Sequence, residues 1–398
     1  MDRVLLLAGR GARAFGFGFA AVLIGLHLER RGLPAPLIGV ALGVALAAAS
    51  LLGLASAYVA ARFGRRPALA ICGVLMALAG IDLALGEQAV WLIAAGLTGM
   101  LGVAGVDLGP FASVEQAALT EAVPPDRRNL AFARYSLTAG LFNAAGGLAA
   151  ALADGEQAMR AFFLLYAVIG LMTAVLPAFM SPRVEAELRV PAFGVLRRTD
   201  MQRVLAGLTA LFALDSFAGG FVSNAVISYW LHIRFGAEPA LLGPVFGVVA
   251  VLQSLSYEVS GRLSDRVGLI NTMVFTHLPS NVLLILVALS PTLPVAIGLL
   301  FGRFLLSQMD VPARQAYVVS IVPAADRAAA VAITGAVRGV AQAFGPPLAG
   351  LAIAAAAFGV PFYAGGGLKI VYDLGLYAAF RRRRAEHETA LPKDRSRG

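Results

Sequence analysis

The sequence predicts an all-α polytopic membrane protein, with twelve transmembrane helices in two pseudo-symmetric six-helix bundles. Three observations predict it: a large apolar excess, a succession of apolar runs of spanning length, and an internal repeat relating the two halves. Hydrophobic residues make up 59% of the 398 and charged residues 14%, and the mean hydropathy is +0.79. A soluble domain is about half apolar and about a quarter charged. Such a chain cannot cover itself with hydrated side chains, and the composition excludes disorder and a nucleic-acid module. Cys72 is alone, which excludes a disulfide scaffold.

A spanning helix needs about 20 mostly apolar residues. The runs place spans at 12–29, 36–61, 67–86, 89–113, 130–153, 157–180, 204–232, 240–260, 272–290, 293–313, 328–357 and 360–380. The first, 12–29, has Arg10 and Arg13 at its start. The apolar stretch before it, Val4–Gly9, is too short for a cleaved leader. The second ends at the basic Arg62–Arg66 loop and the third starts beyond it; the fourth and fifth are parted by Arg127 and Arg128. The sixth and seventh flank the longest polar stretch, 181–203, the natural linker. The eighth and ninth flank Arg262 and Arg266, the tenth and eleventh Arg327, and the twelfth stops at Arg381–Arg384. The runs are rich in Ala, Leu and Gly and lack alternation, so they are helices rather than barrel strands. Helices also satisfy their own backbone hydrogen bonds in lipid. The eleventh contains GPPLAG (345–350), whose prolines break the hydrogen-bond ladder and give a kink or swivel. Glycine pairs such as Gly96/Gly99 and Gly102/Gly105 are helix-packing signals. Phe15, Phe17 and Phe19 of the first span read as packing or lipid-facing residues.

Thirty of the 32 basic residues are arginine, and their placement sets orientation. Thirteen lie in the loops after even-numbered spans, against Arg30, Arg31, Arg160 and Arg234 on the other side. The tail adds seven more and the N-terminus adds Arg3, Arg10 and Arg13. Both termini and the linker are therefore expected to be cytoplasmic. The domains follow: 1–180 and 204–380 as six-helix bundles, 181–203 as cytoplasmic linker, and 381–398 as a basic tail. The excess of Arg, Ala and Gly suggests a bacterial coding sequence, hence a bacterial inner membrane.

EQAALTEAVPPDRR (115–128) aligns with RQAYVVSIVPAADR (314–327) at an offset of 199, carried on to Gly140/Gly339 and Gly146/Gly345. ARFG (61–64) aligns with DRVG (265–268) at an offset of 204. A duplicated six-helix unit predicts two bundles facing each other, with a site between them near the midplane.

GRLSDRVG (261–268), after the eighth span, resembles the loop signature of the major facilitator superfamily, roughly G-x-L-x-D-R-x-G-R-R. AYVAARFGRR (57–66) repeats it after the second span, and the VP-x-x-DR pattern after the fourth and tenth is also similar. The resemblance covers the whole chain. It implies a secondary transporter working by alternating access, a central site lined by the first, fourth, seventh and tenth spans, and a cytoplasmic gate at the signature loops. Carried over residue by residue, the gate comprises Arg62, Gly64, Arg65, Arg66, Gly261, Asp265, Arg266 and Gly268. The first copy has Ala61 at the acidic position and Ala57 at the first glycine; the second has Leu269 and Ile270 in place of the basic pair. An acid there is favoured by a helix dipole, so the lock rests on Asp265. The family's drug/proton antiporters carry Gly-Pro in the fifth span, which here reads NAAGGLAA (143–150) without proline.

Ionisable groups at bilayer depth are expensive and are functional candidates. Asp215 lies near the middle of the seventh span and suits a proton carrier. Arg303 and Asp310 lie seven residues apart in the tenth, on one face of a continuous helix. Arg303 suits an anionic group, or a pair with Asp310 or a neighbouring helix. Asp107 has the matching place in the fourth span, and Arg338 lies mid-way along the eleventh. Lys369 and Asp373 have i,i+4 spacing, which favours a local salt bridge. Glu115 and Arg314, aligned by the repeat, join Glu258 and Asp265 as gate pairs.

The four histidines show no metal spacing, and no phosphate-cradling G-x-x-x-x-G-K-[ST] exists. The expectation is a non-enzymatic carrier without cofactor or metal, acting as a monomer in the lipid bilayer. Its partners are a small organic solute, with an anionic one favoured by Arg303, and protons. The alternatives are proton-driven efflux of amphipathic cations, with Asp107, Asp215 and Asp310 as counter-charges, and a non-transporting receptor or lipid-handling membrane protein.

Overall fold

The computed structural model describes residues 1–104, 109–124, 128–185, 199–322 and 327–381. The described residues are helical in every regular element. The first three spans are α1 (Asp2–Arg30), α2 (Ala35–Phe63) and α3 (Arg65–Leu85). The fourth is divided into α4 (Ala89–Leu97) and α5 (Pro110–Ala122). The fifth and sixth are α6 (Arg128–Ala149) and α7 (Gly155–Val175). The seventh is divided into α8 (Thr199–Gly220) and α9 (Asn224–Phe235), and the eighth and ninth are α10 (Pro239–Val267) and α11 (Leu269–Ala288). The tenth is divided into α12 (Leu293–Ser307) and α13 (Asp310–Ile321), and the eleventh into α14 (Arg327–Ala343) and α15 (Gly345–Ala354). The twelfth is α16 (Val360–Phe380). Among the described residues, eight of these segments are long and apolar enough to cross a membrane unaided. The other four pack beside them and complete the twelve.

Two expectations are corrected. The first span starts earlier than residue 12: α1 begins at Asp2 and carries Arg10 as well as Arg13 well inside it. The Asp2 carboxylate accepts the Ser181 N–H at 2.9 Å and is also bonded by the Ser181 hydroxyl, which fixes the helix start. Arg13 is neutralised by Glu115 and so does not end the helix. Second, the fourth, seventh and tenth spans are not continuous. Irregular backbone at membrane depth is tolerated where protein groups satisfy it. Here Tyr166 donates to the Met100 carbonyl, and Ala225 N donates to the Val103 carbonyl at 3.2 Å. The break in the eleventh falls at Phe344, directly before the Gly345–Pro346 step that predicted it.

Packing follows one scheme in both halves. α3 packs on α7 as α11 packs on α16, α1 on α6 as α8 on α14, and α2 on α4 as α10 on α12. On α3, Ile71, Val74, Leu78, Ile81 and Leu85 form an exposed stripe at helical spacing, a lipid-facing surface. Leu69, Cys72, Met76 and Leu83 are buried on the opposite face. Phe17 and Phe19 are buried against Tyr166 and Phe162, so they pack rather than meet lipid.

The bundles meet through α2 against α14 and α15, α6 against α10, and α1 against α9. Close approach, not apolar exclusion, holds helices together in lipid. A Cβ on Gly39 of α2 would lie 2.4 Å from the Pro346 carbonyl oxygen of α15, so only glycine fits there. Arg30 bonds Glu238 at 2.8 Å and Glu29 faces His232 at 3.2 Å across the same interface. These contacts lie at the end away from the two signature loops. At the signature end, Gly64 and Gly268 have φ of +105° and +87° and turn α2 into α3 and α10 into α11. Such φ values strain any residue with a Cβ, which is why both copies of the repeat keep glycine.

Candidate functional site

The C-terminal bundle encloses a network of charges. Asp215 on α8 accepts from Lys369 Nζ at 2.6 Å and from Arg314 Nη1 at 3.3 Å. The same Arg314 nitrogen bonds Asp310 at 2.6 Å, one turn earlier on α13. His277 Nδ1 lies 2.9 Å from Asp373 Oδ1, and its Nε2 lies 3.9 Å from Asp215. Asn281 Nδ2 donates to the other oxygen of Asp373 at 2.9 Å. Arg338 Nε donates to Ser216 Oγ at 3.0 Å. Asp215, Asp310, Asp373, Arg314, Lys369 and His277 are all buried. Charges taken out of water must be paired and hydrogen-bonded, and five helices supply the partners.

Arg303 on α12 is the exception. It is 7% exposed, and its Nε and Nη1 have no hydrogen-bond partner among the described residues. Its guanidinium rests over the Phe304 ring at 4.6 Å. The seven-residue spacing to Asp310 assumed one unbroken helix. The break at Gln308 and Met309 re-aims the chain, and Asp310 bonds Arg314 instead. Lys369 and Asp373 stand one turn apart on the unbroken α16, yet each turns to a different neighbouring helix, Lys369 to Asp215 and Asp373 to His277.

The N-terminal bundle holds a smaller counterpart. Arg13 on α1 forms a short ion pair with Glu115 on α5, and Tyr135 OH donates to the same carboxylate at 2.8 Å. The Arg13 guanidinium also lies 3.9 Å over the Phe111 ring. Glu115 and Arg314 are thus buried inside their own bundles, not aimed across the gap. Glu258 is exposed and paired with exposed Arg262 at 3.5 Å. Asp107 lies outside the described residues.

At the first signature loop the missing acid is replaced from elsewhere. The Glu185 carboxylate accepts the backbone N–H groups of Arg65 and Arg66 at 2.6 and 2.8 Å, capping the start of α3. Arg66 in turn bonds the Pro177 and Ala178 carbonyls at 2.8 Å. An acid at a helix N-terminus answers both the free N–H groups and the dipole. Gly261, Asp265, Arg266 and Gly268 occupy the end of α10 and the turn into α11.

Sequence reasoning singled out Asp215, Arg303, Asp310, Arg314 and Arg338. It passed over His277, Asn281 and Arg13 as site residues. The signal for the first two was a His and an Asn one turn apart in an apolar span.

Comparison with known proteins gives a consistent result. The Major Facilitator Superfamily model matches residues 6–307 and 205–397. An uncharacterised membrane protein of Saccharomyces cerevisiae, YJR124C, is 21% identical, over 95% of this chain and 94% of the yeast protein. The crystal structure of the nucleoside transporter NupG is similar, with TM-score 0.76 at 13% identity over 95% of this chain and 99% of that one. A POT family transporter in complex with a thioalcohol-conjugated peptide has TM-score 0.76 at 16% identity, over 94% and 95%. The D-xylose–proton symporter has TM-score 0.71 at 18% identity, over 94% and 97%. With twelve spans in two bundles, glycine turns at both signature loops and a family match from end to end, the chain belongs to the Major Facilitator Superfamily.

Proposed function

We propose that this transporter moves a small organic anion by alternating access, driven by a proton gradient. The observation that carries the anion is Arg303, a buried guanidinium whose Nε and Nη1 are unanswered among the described residues, while Asp215 and Asp310 are already engaged by Lys369 and Arg314. A buried charge lacking its partner is costly. A carboxylate or phosphate on a solute supplies both the charge and the acceptors, and guanidinium is suited to either. Arg338, held by Ser216, is the second cation. Asp215, the proton-carrier candidate, is the acid whose charge senses a proton in this network, because Lys369 and Arg314 both depend on it. Proton coupling has a precedent in the fold: one structural neighbour is a D-xylose–proton symporter.

By the positive-inside rule the arginine-rich loops favour a cytoplasmic signature end, with the linker at 181–203, the tail at 381–398 and both termini on the same side; the Arg-, Ala- and Gly-rich composition favours a bacterial inner membrane. Contacts between the bundles then seal the outer end, through Gly39 and the Arg30–Glu238 pair. Residues 1–180 and 204–380 rock as two bodies about the central site. Arg62, Gly64, Arg65, Arg66, Gly261, Asp265, Arg266 and Gly268 act at the inner gate, with Glu258 beside them. Glu115 and Arg314 anchor the gate helices from within each bundle. Two bundles form a complete pathway, so the monomer is the working unit.

A thermal-shift screen on detergent-purified protein, with anionic and cationic organic solutes matched in size, tests this. A ligand at about 100 times its Kd adds about 2.7 kcal/mol of apparent stability. Stabilisation by anions, lost in Arg303→Ala, is the expected result. Stabilisation by lipophilic cations that survives Arg303→Ala overturns the anion and favours drug efflux.

A further inference from the structure

Charge counting in the C-terminal bundle singles out a site that the network itself does not explain. The bonded core holds three carboxylates, Asp215, Asp310 and Asp373, against two permanent cations, Arg314 and Lys369. Among the groups that bond one another the carboxylates are thus in excess by one, while Arg303 and Arg338 lie in the same electrostatic field without bonding into that core. His277 is placed to answer that excess. Its Nδ1 is 2.9 Å from Asp373 and its Nε2 is 3.9 Å from Asp215, so the ring bridges the two carboxylates that Arg314 and Lys369 do not fully neutralise. Asn281 holds the far oxygen of Asp373 at 2.9 Å, which fixes the carboxylate toward the ring.

We infer that His277 and Asp373 form the proton-binding site of the transporter, with the coupling proton taken up on the imidazole between Asp373 and Asp215. Neutral His277 has one N–H and meets one carboxylate as a donor. Protonated, it carries an N–H on both nitrogens, one against Asp373 and one facing Asp215 across 3.9 Å. The groups that face it come from neighbouring helices, Asp215 on α8 and Tyr372 and Asp373 on α16; Lys369 and Arg314 act on it through Asp215, and Asp310 through Arg314. Ser280, on the His277 helix, donates to the Arg303 carbonyl at 3.3 Å and ties α11 to α12. Arg303 and Arg338 complete the surroundings and oppose the proton, since among the described residues neither bonds a carboxylate. An anion at those arginines removes that opposition. Proton and anion then favour each other's binding, and by linkage the effect is reciprocal. The coupling, though not the proton site, rests on the anion-transporter reading above.

The test uses the full chain in lipid bilayers with histidine labelled by 15N. Solid-state NMR follows the histidines between about pH 5 and 8, where an ordinary imidazole changes charge. The expected result is one buried histidine that passes from neutral to imidazolium, whose signal is lost in His277→Gln and displaced in Asp373→Asn. A wild-type spectrum in which every titrating signal survives His277→Gln overturns the site. If His277→Gln does not fold, wild type and Asp373→Asn decide: a titrating signal indifferent to Asp373→Asn also overturns it. No solute is needed. A wild type that transports nothing refutes the transporter reading and leaves this result standing, and an unchanged titration in a working transporter refutes only the proton site.

Discussion

Glu115 and Arg314 occupy equivalent positions of the repeat, 199 residues apart, and carry opposite charge. Each binds the first helix of its own bundle: Glu115 takes Arg13, and Arg314 takes Asp215. Arg13 and Asp215 are 202 residues apart, between the repeat's two offsets of 199 and 204. The duplication has therefore kept a buried ion pair in one place and exchanged its sign. Duplicated charge pairs tolerate exchange because the pair's attraction is the same either way round.

That relationship predicts the effect of charge changes in the N-terminal bundle. Arg13→Gln strands the Glu115 carboxylate and is expected to cost about 3–5 kcal/mol. The double change Arg13→Glu with Glu115→Arg restores a substantial part of it, giving this bundle the sign pattern of the other. Thermal unfolding of the two variants, compared with wild type, checks this.

In the C-terminal bundle, Lys369→Gln and Asp215→Asn each leave an unbalanced charge. Removing both is expected to be less harmful than the sum of the two. A double-mutant cycle on unfolding should show coupling within the range of about 0.5–3 kcal/mol seen for groups in one network. Additive losses would mean that the 2.6 Å contact carries no weight.

Arg303 behaves differently because it has little to lose. Arg303→Met keeps the bulk over Phe304 and removes a buried cation with unanswered N–H groups. The variant is expected to be as stable as wild type or more so, by up to about 1–4 kcal/mol, and unresponsive to anions. Thermal shift with and without the anionic solutes reads both effects.

The first signature loop gives a local test. Glu185→Ala removes the acceptor for two N–H groups at the start of α3, worth about 0.5–2 kcal/mol for a cap. Gly64→Ala strains a φ of +105° and brings a Cβ to 3.0 Å of the Glu185 carboxylate. Combining the two changes relieves the crowding but not the strain. Hydrogen exchange at Arg65 and Arg66 is expected to rise in both single variants.

The fold was legible because lipid imposes a simple code: apolar runs of spanning length, arginine in alternate loops, glycine at both signature turns. Asp215 and Arg303 stood out because charge inside an apolar run is rare. Arg13 was hidden, since a basic residue at the start of a span is ordinary flank sequence until Asp2 is seen to begin the helix. His277 was hidden because its partner Asp373 lies 96 residues away. The break between Ser307 and Asp310 could not be read from local pattern either, and it decides that Asp310 meets Arg314 and not Arg303.

The most direct test of proton-coupled anion transport is a pH record from sealed proteoliposomes holding a trapped dye. An inward gradient of the anionic solute that stabilises the protein most is applied with no imposed pH difference. Acidification of the lumen that requires the transporter, and that disappears in Asp215→Asn and in Arg303→Ala, is the predicted result. Entry of labelled solute with no change in lumen pH would contradict the coupling.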